Sequence, residues 1–285
     1  MSTWQKSVTP LSAVEAEPSG RVVARTSLLN ALLTVAGRDI KRFVGDRAQF
    51  FGSIVLPVLL IGGMGGIMQA NLGSAVSFNL VDFTVIGTFV MTMFTATVGG
   101  VASLVEDRDN DFGQELFIAP ISPYAIILGK ILGQSGIALV QGSVTLIVGA
   151  LVFGVQLSWG LVLLLIPVAL LICLLGGAFS ALLTSLMSNQ RGAMQVINLI
   201  MTPQMFLAGV FIPIRVLPWY LEIFSLLSPL RYVVNFTRAL FYAGQPVYAQ
   251  VVLESPLLDL LIMAVMFLVC FVAGTILFVR HERNR

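Results

Sequence analysis

The stretch WGLVLLLIPVALLICLLGGAFSALLTSLM, residues 159–187, decides the fold class. It holds no charged side chain, and it is longer than the about 20 mostly apolar residues that a helix needs to cross the hydrocarbon core of a bilayer. Five more stretches of this kind lie near residues 50–70, 83–105, 125–153, 193–213 and 257–280. No soluble domain exposes six such segments, so the expected fold is an all-α membrane protein with six transmembrane helices. The composition agrees: 57% of residues are hydrophobic and 11% charged, with a mean hydropathy of +0.95, against roughly 25% charged in soluble domains. The spans and their connections use nearly the whole length, which leaves no room for a separate globular enzyme domain. A net charge of +2, with the basic residues gathered at the chain ends, argues against nucleic acid as a partner. Cys173 and Cys270 fall inside apolar spans and read as small packing residues. With a single histidine, His281, no metal site is expected.

Lysine and arginine resist translocation, so their distribution orients the chain. Lys6, Arg21, Arg25, Arg38, Lys41, Arg42 and Arg47 precede the first span, and Arg280, Arg283 and Arg285 close the last. Connections 71–82 and 154–158 carry neither residue. Both termini are therefore expected in the cytosol. Residues 1–26 read as a disordered cytosolic leader, and 27–285 as the six-span transmembrane domain. At 27–47, Leu29, Leu32, Leu33, Ala36, Ile40, Phe43 and Val44 recur at helical steps, with Arg38, Lys41 and Arg42 mostly between them. That pattern fits an amphipathic helix lying in the membrane interface.

One segment resists the charge rule. Residues 213–256 belong outside, yet hold Arg215, Arg231 and Arg238, along with Pro213, Pro218, Pro229, Pro246 and Pro256. Between the prolines, Trp219–Leu227 and Leu230–Tyr242 are each too short to cross the membrane. They read as two re-entrant half-helices joined at Ser228-Pro229. The alternative is a surface loop whose Trp219, Tyr220, Tyr232 and Tyr242 sit in an interfacial aromatic belt.

No GxxxxGK[ST] loop occurs, so the chain is not expected to bind or hydrolyse nucleotide. The centres of the spans hold no ionisable group, unlike those of proton- or ion-coupled carriers. The driving force should then come from elsewhere, and the second cytosolic connection is where a partner would act. It carries the acidic run Glu106–Asp111, followed by Phe112, Glu115, Leu116 and Phe117 before Pro120. Asp109 and Asp111 suit the start of a short helix. Phe112, Leu116 and Phe117 would form an apolar ridge on it, either a peg for a socket on another protein or a surface lying on lipid.

The pattern acidic–Gly113–x–Glu115–Leu116–x–x–x–Pro120–Ile121–Ser122, followed by Gly129-Lys130, resembles the cytosolic loop of type 2 ATP-binding-cassette (ABC) exporter permeases. The stretch Phe206–Pro213 is similar too, as is Pro229-Leu230-Arg231-Tyr232 with Arg238 closing the motif. Ala208 departs from the Ser or Gly more usual in the family. Size and motifs look most like daunorubicin-resistance-type membrane subunits. The resemblance implies an interface helix, a cytosolic coupling helix between spans two and three, and re-entrant half-helices before span six. It further implies a pair of permeases, identical or paralogous, bound to two cytosolic ATPase subunits that carry ATP and Mg, in a bacterial cytoplasmic membrane.

Polar residues inside the spans are the candidates for lining a path: Gln134 and Gln141 in span three, and Gln195, Asn198 and Thr202 on one face of span five. Each has an equal alternative as an interhelical hydrogen-bonding group. The expected function is a permease subunit, not itself an enzyme, that exports a hydrophobic or amphipathic cargo such as a drug, antibiotic or lipid. Export of a polysaccharide or lipid-linked glycan is the second reading; a self-sufficient secondary transporter and a purely structural scaffold or sensor subunit are the rivals from other classes.

Overall fold

The computed structural model describes residues 43, 45–103, 105, 123–187 and 189–283. Arg38, Lys41 and Arg42 of the expected interface helix lie outside the described residues, as do Asp109, Asp111, Phe112, Glu115, Leu116 and Phe117 of the expected coupling helix. The described residues contain helices and connections but no strand. Five helices among them are long and apolar enough to cross a membrane, at Phe50–Ala75, Leu80–Ala102, Ile127–Phe153, Trp159–Thr184 and Tyr248–Arg280. This is a multi-pass membrane protein.

The first of these is not one regular helix. α1 (Arg47–Leu60) passes into a π-helical segment (Ile61–Gly66) before α2 (Ile67–Leu72) resumes the α register. The Ile67 amide donates to both Gly63 and Met64 carbonyls where the registers meet. The spacing Gly62-x-x-x-Gly66 suits close helix approach, but within the π segment the two glycines share no neighbour. Gly62 meets Phe153 and Gly65 meets Thr84, while nothing approaches Gly66.

α3 (Leu80–Ala102) is the central rod. Asn79 caps it, accepting from the amides of Val81 and Asp82. Phe83, Ile86, Phe89, Met93, Phe94 and Val98 are all buried against its neighbours. Around it stand α4 (Pro123–Phe153), α5 (Trp159–Thr184) and α6 (Gln190–Leu207). Hydroxyls inside these helices return to the carbonyl four residues back, as Thr97 does to Met93 and Thr184 to Ser180, so they need no lipid-facing partner. Ser180 instead ties α5 to α3 through the Val98 carbonyl at 2.7 Å. Chain beyond α6 forms α7 (Trp219–Leu227), α8 (Pro229–Phe241), the single turn α9 (Tyr248–Val251) and the long α10 (Pro256–Arg283). Where α10 crosses α5, a Cβ on Gly274 would lie 2.8 Å from the Leu182 backbone, so the two backbones touch.

The stretch expected as a span at 193–213 differs most from its sequence reading. α6 runs over 18 residues, about 27 Å at 1.5 Å per residue. With Gln190, Arg191, Gln195, Asn198 and Gln204 it is more polar than the five spans above. It also stops at Leu207 although the apolar run continues to Ile212. Gly209 takes φ +71°, its amide donates to Phe206, and the Val210 amide reaches Met205. This pair of bonds closes a helix with a left-handed glycine just past its end. Residues 208–217 then run as irregular chain.

Candidate functional site

Breaking a chain into short helices creates carbonyls that no longer have an intrahelical donor. At membrane depth each one must find a donor within the protein. Between residues 207 and 259 side chains supply these donors. Ser225 Oγ donates to Leu207, the last carbonyl of α6, at 2.6 Å. Tyr232 Oη donates to Leu226 near the end of α7 at 2.8 Å. Arg215 donates through Nε to Gln250, at 2.9 Å, and through Nη2 to Ala249, at the turn of α9. Arg238 Nη2 donates to Val210, just past α6, at 2.9 Å and to Phe83 of α3 at 3.2 Å. Of the three arginines that defy the charge rule, Arg215 and Arg238 are thus committed to carbonyls and Arg231 to a hydroxyl and a carboxylate.

Arg231 joins a polar cluster at the start of α10. Nη1 donates to Ser225 and Nη2 pairs with Glu254, both at 2.9 Å. Asn235, one turn further along α8, donates to Asp259 at 2.6 Å and to the Glu254 carbonyl at 3.3 Å, and accepts from the Leu253 amide at 2.8 Å. Asp259 is wholly buried. Its place at the start of the last span suggests an interfacial carboxylate. In the structure α8 packs across it, and Asn235 meets it there. Pro229 opens α8 at its first position, where a missing amide costs nothing. Pro229, Arg231, Tyr232 and Arg238 all lie on this buried helix.

Arg238 is enclosed as well. It is 4% exposed, and its guanidinium stacks on the Phe83 ring with the central carbon 3.4 Å from the centroid. Opposite it, α3 offers Gly87, where a Cβ would fall 2.1 Å from the Val210 oxygen and 2.9 Å from Nη2. Only glycine leaves space for that carbonyl and the cation together.

The expected path residues divide. Gln134 is buried against Gly100 of α3, and a Cβ there would meet its Oε1 at 2.2 Å. Gln141, two turns on, is half-buried. Gln195, Asn198 and Thr202 are exposed, together with Arg191, along one face of α6. Thr202 returns its hydroxyl to Asn198. The structure keeps the α4 and α6 glutamines apart and leaves the α6 stripe uncovered. Beyond the stripe lies an apolar cavity of about 260 Å³ lined by Phe206, Phe211, Ile212, Leu217 and Leu221. Reading the sequence did not single out Gly87, Ser225, Asn235 or Glu254, because each acts through a partner on another element.

The profile of the ABC-2 type transporter family matches residues 30–242. The chain belongs to that family of ABC transporter membrane proteins. Among curated relatives it is 23% identical over 158 residues to "Probable multidrug ABC transporter permease YbhR" of Escherichia coli K12, spanning 55% of this chain and 40% of that one. It is 26% identical over 224 residues to "Inner membrane transport permease YadH" of the same organism, spanning 72% of this chain and 80% of that one. It is also 27% identical over 165 residues to "Putative transport permease ycf38" of Cyanophora paradoxa, spanning 57% of each.

Proposed function

We propose that this chain is the membrane subunit of an ABC exporter in a bacterial cytoplasmic membrane. It would work as one of a pair of permease copies or paralogues on two cytosolic ATPase subunits, which carry ATP and Mg. α6 is the fifth of six spans, both termini are cytosolic, and the α7–α8 pair is re-entrant from the outer side. The cargo is hydrophobic or amphipathic, in keeping with the multidrug wording of one relative's name. The observation that carries this reading is the uncovered stripe Arg191, Gln195, Asn198 and Thr202 on α6. Polar side chains in a membrane helix belong against protein or water rather than lipid, and a second permease enclosing a path between the two copies supplies both. Arg38, Lys41 and Arg42 would hold the interface helix on the cytosolic leaflet. Asp109, Asp111, Phe112, Glu115, Leu116 and Phe117 would form the coupling helix.

The test is to purify the chain with and without its cognate ATPase and measure hydrolysis and efflux. The chain alone should hydrolyse no ATP, and the complex should export. Phe112→Ala, Leu116→Ala and Phe117→Ala should each weaken ATPase binding about tenfold or more, since a large apolar side chain seated in a socket contributes about 1.5–3 kcal/mol. Hydrolysis by the chain alone, or normal binding and export by all three variants, would overturn the assignment of the chain or of the loop respectively.

A further inference from the structure

We propose that Arg238 and Gly87 form a strut that makes α3 and the end of the path helix α6 move as one body. Rather than stabilising the fold alone, Arg238 acts as a positioning residue that sets how much cargo moves per ATP hydrolysed. The inference rests on the reading of α6 as a path wall.

Three elements meet at this point. α3 presents the Phe83 ring, the Phe83 carbonyl and the bare backbone of Gly87. The bend after α6 presents the Val210 carbonyl, three residues beyond the end of that helix. α8 contributes the arginine, and one nitrogen, Nη2, donates to both carbonyls. Val210 follows the left-handed turn at Gly209, and no donor but Arg238 meets its carbonyl among the described residues. Burial makes the link stiff, since a guanidinium that leaves these carbonyls has no water to replace them. At its opposite end α3 stops at Ala102, just before the acidic run at 106–111. The helix of 23 residues, about 34 Å long at 1.5 Å per residue, therefore spans from that connection to the bend where the polar stripe gives way to the apolar cavity. A displacement of α3 is delivered to the end of α6 through Arg238. No carboxylate is needed, because the two N–H groups of one planar guanidinium nitrogen are directional where a point charge is not.

The experiment uses the full chain with its cognate ATPase in proteoliposomes, with daunorubicin as the transported probe. Arg238→Met keeps the volume and removes the donors. It should lower daunorubicin efflux per ATP hydrolysed by about tenfold, with complex yield and basal hydrolysis unchanged. Arg238→Lys keeps one cationic donor but not the planar geometry and should fall between Met and wild type. Equal efflux per ATP in all three, or loss of efflux and hydrolysis in proportion, overturns the strut. If the Met variant does not accumulate, a measurement with the wild-type arginine decides. Nitroxides at Val81→Cys on α3 and Ile212→Cys on the bend should give the same spin–spin broadening in the nucleotide-free and ATP-trapped complex. Both native cysteines are buried and stay unlabelled. A change in broadening between the two states means that the bend leaves α3, and the strut is wrong. Failure of the wild-type chain to assemble with any ATPase would instead defeat the export reading on which the strut rests.

Discussion

α6 and α8 carry the same polar pattern and meet opposite ends. On α8 it is Arg231, Asn235 and Arg238; on α6 it is Arg191, Gln195 and Asn198, with Thr202 one turn further. Both have steps of four and three, so each places its polar groups on one helical face. On α8 every one of them is buried and bonded, to Glu254 and Ser225, to Asp259 and the 253–254 backbone, and to Val210 and Phe83. On α6 all four are exposed. A polar stripe on a membrane helix therefore has no fixed meaning. The α8 stripe is answered within the chain and holds the broken helices together. The α6 stripe is left exposed among the described residues, which is why it points to a partner or to water.

The comparison breaks most sharply at Asn235. Replacing it by leucine removes three bonds at once and strands the buried Asp259, one of whose oxygens already has no partner among the described residues. A buried acceptor or charge left without its partner costs about 3 kcal/mol or more. The Asn235→Leu variant should lose most of its folded protein in detergent, read by fluorescence-detected size exclusion after heating. Stability close to wild type would mean that the α8 stripe is no better answered than the α6 one.

A smaller effect is expected where the two helices are kept distinct. Gly209→Ala puts a Cβ on a residue at φ +71° and 2.9 Å from Ile214 Cγ1. The left-handed conformation costs an L-residue roughly 1–2 kcal/mol. The melting temperature should drop modestly. Protection of the Val210 amide from hydrogen exchange should fall with it, because that amide closes α6 onto Met205. Unchanged protection would show that α6 ends for another reason.

Proline and local apolar length made much of this legible in advance. The half-helices were expected at Trp219–Leu227 and Leu230–Tyr242 with a joint at Ser228-Pro229, and helices are found at Trp219–Leu227 and Pro229–Phe241. A proline disfavours helix at the residue before it and suits the first position of a new one, which is a local rule, although Pro57, Pro167 and Pro203 sit inside α1, α5 and α6. The end of α6 was not legible, although Gly209 and Pro213 stand in the sequence, because hydropathy runs on through Val210, Phe211 and Ile212. The π segment was hidden too, since a change of register leaves no mark on composition. Arg215, Arg231 and Arg238 looked like misplaced topology signals. Arg215 and Arg238 serve backbone carbonyls and Arg231 serves Ser225 and Glu254, partners that are brought together only once the chain has folded. The division between Gln134, buried on Gly100, and Asn198, exposed, likewise depends on which helix stands opposite.

The finest test adds almost nothing to the energy of the fold and asks whether the α6 stripe is wet. Asn198 on α6 and Leu163 on α5 are both exposed in the single chain, Leu163 at 66%. Lipid would cover α5, whose surface is continuously apolar with Ile166 and Leu170 also exposed. Water or a polar partner would cover Asn198, since hydrocarbon leaves an amide unpaired. Surface substitutions of this kind change stability by no more than about 0.5 kcal/mol, so Asn198→Cys, Thr202→Cys and Leu163→Cys should all fold. Only the thiolate reacts with maleimides, and it forms only where water reaches. In the assembled complex a charged, membrane-impermeant maleimide should modify Asn198→Cys or Thr202→Cys much faster than Leu163→Cys, with the rate changing when ATP is trapped. Equal, slow reaction at all three positions would place the α6 stripe in a dry contact. The two stripes would then differ only in which chain answers them, one within this chain and the other across a subunit interface.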